Sequence, residues 1–131
     1  MEGFIFKNRS SRKEGDITVS LTLVEFVDDK NIHIIYSPTL DLSGYGNTLK
    51  EAKTSFEIAF VDFVDYTLKK HTLTKVLKSL GWEMKGTSKK PTKIKAPNMS
   101  LVMKENDYVA EIFDKYPVIT HHEQVRLPTY A

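Results

Sequence analysis

The chain reads as a small α+β domain, an antiparallel sheet of three to four strands packed by one long helix and a second short helix. Three observations predict this. Ile17, Val19, Leu21 and Leu23 alternate with Thr18, Ser20, Thr22 and Val24, the period-two signature of a strand with one buried face. Thr48 followed three residues later by Glu51 is a helix start, in which the hydroxyl accepts from the Glu51 N–H and the carboxylate reaches back to the Thr48 N–H. Leu49, Ala52, Phe56, Ala59, Phe60, Phe63 and Leu68 then recur at steps of three and four, one stripe of a helix about 30 Å long.

The elements follow in order. Met1 to Lys7 holds a short apolar run, Phe4-Ile5-Phe6, which is either an edge strand or an unstructured end, and Asn8 to Gly15 reads as a basic loop. Ile17 to Val27 is the clearest strand. Asp28-Asp29-Lys30-Asn31 is a turn, and Ile32 to Tyr36 resumes the alternation, giving an antiparallel hairpin. Ser37-Pro38 stops the second strand because proline has no N–H for a ladder. Thr39 to Gly46 is a brief third strand around Leu40 and Leu42, and its glycines turn the chain into the long helix. That helix exposes Lys50, Lys53, Glu57, Asp62, Asp65 and Lys69.

His71 to Leu80 predicts the second helix, with Leu73, Val76, Leu77 and Leu80 inside and Gly81 at its C′ position. Trp82 and Met84 suit a last edge strand. Gly86 to Pro97 has lysines, two prolines and no apolar period, and reads as a linker. The core domain is therefore expected to cover residues 1–85, with 86–131 a linker and a C-terminal packing or oligomerisation segment. Within it Met99 to Met103 suits a strand, Tyr108 to Tyr116 a helix capped by Asn106 or Asp107, and Val118 to Leu127 a weakly alternating stretch. This tail packs either on its own domain or on a second copy.

Composition excludes several classes of function. With 131 residues and 40% apolar content the chain builds one core without staples, and it has no cysteine for disulfides, thiolate metal sites or thiol catalysis. The first residues lack a secretory core and no run approaches a membrane span, so a soluble cytoplasmic protein is expected. Residues 1 to 66 hold 7 Lys/Arg against 11 Asp/Glu, giving −4, and residues 67 to 131 hold 12 against 6, giving +6. Nine lysines between Lys69 and Lys95 face one acid, Glu83. A run of this kind is either a solvated surface or the footprint of an anionic partner.

The hairpin, the Tyr36-Ser37-Pro38 stop, the Leu40-Asp41-Leu42-Ser43-Gly44-Tyr45-Gly46 strand, the Thr48-Leu49-Lys50-Glu51-Ala52 helix start and the Leu80-Gly81-Trp82 ending together resemble the HicB antitoxin family over about residues 17–85. The resemblance implies a truncated ribonuclease H-like sheet with one long helix across it. It also implies binding and silencing of a small toxin, HicA, which cuts messenger RNA. Many HicB proteins add a helix-turn-helix or ribbon-helix-helix for their operator; this tail has neither motif complete.

Catalysis finds little support in the sequence. Two-metal nucleases gather several carboxylates around the ions, whereas the acids here lie on the turn (Asp28, Asp29) or on the helix's wet face (Glu57, Asp62, Asp65). His121 and His122 are adjacent and point to opposite faces of a strand; His121 and Glu123 share a face but read as a surface pair. Gly44-Tyr45-Gly46 lacks a phosphate-loop pattern, and no motif activates Ser37, Ser43 or Ser55. Tyr36, Tyr45 and Trp82 are core or interface residues rather than base-stacking platforms.

The reading is a non-catalytic antitoxin-like regulator with no cofactor and no metal site, which covers a basic partner with its acidic half. Asp28, Asp29, Asp41 and Tyr45 are the candidate partner contacts. The alternative is binding of DNA or RNA through Lys69, Lys70, Lys75, Lys78, Lys89, Lys90, Lys93 and Lys95. Because an open sheet exposes two edges, a homodimer or higher oligomer is expected, formed through an edge or through the tail helix with Phe113.

Overall fold

The computed structural model describes Phe4, residues 16–86 and residues 91–128. The elements run β1 (Asp16–Val27), β2 (His33–Ser37), β3 (Leu42–Gly46), α1 (Leu49–Lys69), α2 (Leu73–Ser79), β4 (Glu83–Gly86), β5 (Pro91–Lys95), α3 (Met99–Glu105), α4 (Asp107–Lys115) and β6 (Ile119–Pro128). The main sheet is antiparallel throughout in the order β3-β2-β1-β6, and β4 and β5 form a separate two-stranded ribbon. This is the predicted α+β class; α4 is the helix expected over Tyr108 to Tyr116, and α3 is one helix more than expected.

Local chemistry accounts for the first half. Asp28 Oδ1 accepts from the N–H of Lys30 at 2.8 Å and of Ile32 at 3.0 Å, which closes the hairpin turn, and Asn31 takes the left-handed conformation there (φ 63°). Thr48 caps α1 by accepting from the Glu51 N–H at 3.1 Å. The Glu51 carboxylate reaches back one residue further than expected, to the Asn47 N–H at 2.9 Å. Gly44 is where strand and helix touch: a Cβ there would stand 2.6 Å from the Ala52 carbonyl oxygen and from the Phe56 Cα, so only glycine allows this approach.

Helices α1 and α2 end alike. After α1 the Thr72 N–H donates to Thr67 O at 2.8 Å and the His71 N–H to Leu68 O at 3.1 Å; after α2 the Trp82 N–H donates to Leu77 O and the Gly81 N–H to Lys78 O, both at 3.0 Å. Both are Schellman endings with a left-handed C′ residue, Gly81 as predicted and His71 at φ 57°.

Each face of the sheet carries a buried cluster, the second confined to β2 and the end of β1, with Thr18, Ser20, His122 and Gln124 exposed on it. On one, Val19, Leu21, Leu23, Ile35, Val125 and Leu127 pack with Ala52, Phe56, Phe60 and Val64 of α1, with Leu73 and Leu77 of α2, and with Trp82 and Ile94. On the other, Val24, Phe26, Ile34 and Tyr36 are covered by Val109 and Ile112 of α4. The second helical layer comes from the tail, which therefore packs on its own chain; Phe113 is half-buried in this cluster.

Three expectations are corrected. The core does not stop near Lys85, because Ile94, Val109, Ile112, Val125 and Leu127 all belong to it. Residues 91–95 are a strand rather than linker; only Ile94 of that strand is seen to enter the core, so its lysines hide the alternation. Met99 to Met103 is helical, started by Asn98 Oδ1 accepting from the Ser100 N–H at 2.8 Å. The readings of Met1 to Lys7 and of Asn8 to Gly15 lie outside the described residues, apart from Phe4.

Candidate functional site

The outward face of α1 is the first candidate surface. Its inward stripe is fixed by burial of Ala52, Phe56, Phe60, Val64 and Thr67, which turns Ile58, Val61, Asp62 and Asp65 away from the sheet. Steps of three and four join these four into a diamond of two aliphatic and two carboxylate side chains. Ile58 and Val61 are 57% and 47% exposed, a burden for a helix in water. Ile58 also ends a shallow apolar groove of about 430 Å³ lined by Lys50, Glu51, Thr54 and Ser55. Beside it Ser55 Oγ accepts from the Tyr45 N–H at 3.0 Å, so α1 side chains occupy the outer edge of β3.

The four predicted partner contacts fall elsewhere, and three of them serve the fold. Asp28 holds the hairpin turn. Asp29 forms an ion pair with Lys115 of α4 at 3.0 Å, which holds the Lys115 ammonium above its ordinary pKa. Asp41, left-handed at φ 55°, accepts from the Tyr36 hydroxyl at 2.7 Å, and Asn106 Nδ2 donates to the same hydroxyl at 3.4 Å. Burial first, and the Asp41 carboxylate second, push the Tyr36 phenol well above its ordinary pKa. Asp29, Asp41 and Tyr45 are exposed and Asp28 is half-buried, and Tyr45 is the one of the four whose side chain is not tied into the fold by a hydrogen bond or ion pair among the described residues. Tyr36 and Trp82 are core residues, as expected.

The lysines form a second surface. Lys69, Lys70, Lys75, Lys78, Lys93 and Lys95 are all exposed, and Lys89 and Lys90 lie outside the described residues. Register adds a residue the sequence reading did not single out: Lys85 of β4 stands directly opposite Lys93 of β5, and Glu83 opposite Lys95. Met84 and Ile94 point the other way, into the core. Among the described residues these lysines have no ion-pair partner.

Titratable groups also gather at β1 and β6. His121 Nε2 lies 2.8 Å from Glu25 Oε1 across the two strands, and its ring stacks on Phe4 at 3.5 Å with Lys53 Nζ 4.1 Å above the other side of Phe4. Glu123 shares the His121 face and is buried beside Leu21, a carboxylate the alternation did not mark as inward. Among the described residues no three His, Asp or Glu side chains are grouped to hold a metal ion, and no helix is long and apolar enough to cross a membrane. Ser37 is buried, and Ser55 is engaged by Tyr45.

Comparison of the chain with protein-family models, with characterised proteins and with solved structures finds no match.

Proposed function

We propose that this chain is a non-catalytic, antitoxin-like regulator of the cytoplasm that covers a small basic protein, of the HicA type implied by the sequence resemblance. The observation that carries the reading is the diamond on α1: Ile58 and Val61 exposed at the pole opposite the buried stripe, with Asp62 and Asp65 beside them. An apolar centre flanked by carboxylates complements a cationic partner and excludes an anionic one. The resemblance supports the same reading through the Thr48 cap, the stop at Pro38 and the Gly44 contact on which α1 sits.

Self-assembly belongs to this proposal. The outer N–H groups of Tyr45 and Asn47 are taken by Ser55 and Glu51, which, among the described residues of the main sheet, leaves the outer edge of β6 for a second copy, with Ile119 exposed on it. Light scattering is expected to give a dimer or larger that Ile119→Lys weakens; a monomer at every concentration overturns the assembly.

The partner test uses the full chain and the product of the adjacent open reading frame, followed by calorimetry and by rescue of growth. A small basic protein bound by the wild type, and bound at least about tenfold more weakly by Ile58→Lys with Asp65→Lys, is the expected result. Equal binding by the double variant removes α1 from the interface. A neighbouring frame that encodes no small basic protein, or one that is not bound, overturns the function.

A further inference from the structure

We infer that the outer face of the β4–β5 ribbon binds the phosphate backbone of duplex DNA without reading its sequence. The reason begins with an unfavourable contact. Like charges directly opposite on an antiparallel pair destabilise it, and Lys85 faces Lys93 in this way, with Lys95 one alternation further along the same face. Glu83 opposite Lys95 is the only acid of the ribbon, and none of the three lysines has an ion-pair partner among the described residues. Three ammonium groups are thus held outward by a backbone whose other face, Met84 and Ile94, is anchored in the core. Helix α2 packs beside β4 and brings exposed Lys75 and Lys78 to the same end of the domain.

Two features choose among anionic partners. The ribbon carries no aromatic residue and neighbouring Trp82 is buried, so there is no platform on which an unpaired base could stack. Nor, among the described side chains, does its outer face carry an exposed apolar group to enter a lipid surface. Regularly spaced phosphates are what a rigid row of lysines matches, and a two-stranded ribbon is of a size to lie along the major groove. This surface is distinct from the α1 diamond, so it stands or falls independently of the proposed protein partner.

The test is fluorescence anisotropy of the full chain with a labelled 20-base-pair duplex of arbitrary sequence, titrated over a range of salt. The expected result is binding at low salt that weakens as salt rises. Replacing Lys85, Lys93 and Lys95 together by Gln should lower affinity by about tenfold or more and reduce the log–log salt slope by about 3, near 0.9 per phosphate contact. Lys104→Gln, an exposed lysine on α3, should leave both unchanged. Because all three ribbon lysines are exposed and the change removes the like-charge contact of Lys85 with Lys93, the variant is expected to fold and to melt no lower than the wild type. Absence of duplex binding by the wild type, an unchanged slope in the triple variant, or tighter binding to single strands, to RNA or to anionic vesicles overturns the inference.

Discussion

The indole N–H of Trp82 donates to the main-chain carbonyl of Thr39 at 2.7 Å, a buried bond that spans 43 residues of chain. It ties the end of α2 to the turn between β2 and β3, two segments that no strand pairing joins. Both residues are almost wholly enclosed.

Trp82→Phe keeps an aromatic ring in that space and removes the donor. The Thr39 carbonyl is then buried without its partner, at a cost of about 2 kcal/mol. Urea unfolding followed by far-ultraviolet circular dichroism is the measurement, since the only tryptophan is lost; an unchanged midpoint would show that the bond contributes nothing net.

Gly44→Ala should be among the most damaging single-atom changes in the chain. Its methyl group would meet the α1 backbone at Ala52 and Phe56, which no side-chain rotation relieves. A loss of about 3 kcal/mol, or roughly 10 °C in melting temperature for a domain of this size, is expected.

His71→Gly should stabilise the protein. A residue with a Cβ at φ 57° carries a penalty of about 1 kcal/mol that glycine lacks, and both Schellman bonds use backbone only. Thermal melts should move upward; a downward shift would mean that the exposed imidazole contributes more than the backbone strain costs.

The phenol of Tyr36 predicts how the fold responds to base. Its folded-state pKa lies above the ordinary value near 10, because burial and Asp41 both oppose the phenolate. Above pH about 10 the unfolded chain releases this proton and the folded one keeps it, so the contribution is complete below that pH and declines as pH rises beyond it. Tyr108, also raised chiefly by burial, acts in the same direction. Tyr36→Phe should be less stable than wild type at pH 7, through loss of the bond to Asp41, and should lose stability more gradually above pH 10. Urea midpoints measured across that range decide it; parallel curves for the two proteins would contradict the assignment.

The first half of the fold was legible because its signals are local. Alternation in 17–27, the Thr48 cap and the stripe from Ala52 to Phe60 each act within one or two turns of chain, and all three appear where expected, with Glu51 reaching Asn47 instead of Thr48. His71 shows the limit: it ends α1 as Gly81 ends α2, but histidine gives no sign that it will take a left-handed backbone. Strand β5 was hidden for a related reason, since a ribbon with lysines outside and Ile94 inside offers no period to count. Val64, on the flank of the buried stripe, is covered, whereas its neighbour Phe63, which the spacing favours, is only partly covered.

Candidate contacts fared unevenly because a carboxylate's partner is a tertiary fact. Asp28, Asp29 and Asp41 look free in the sequence, yet each is taken up by a turn, by Lys115 or by Tyr36. Ile58 and Val61 were apolar residues left out of the stripe, and only their outward placement gives them meaning. Lys85 gained its role from register alone.

The long pairing of β1 with β6 has a consequence for the birth of the molecule. Thr22 and His122 meet across these strands at 3.3 Å although 100 residues separate them. A ribosome delivers β1 100 residues ahead of its second neighbour, so the hairpin and α1 form with one flank of the sheet open. For that interval the outer backbone groups of β1 lack the partners that β6 later supplies.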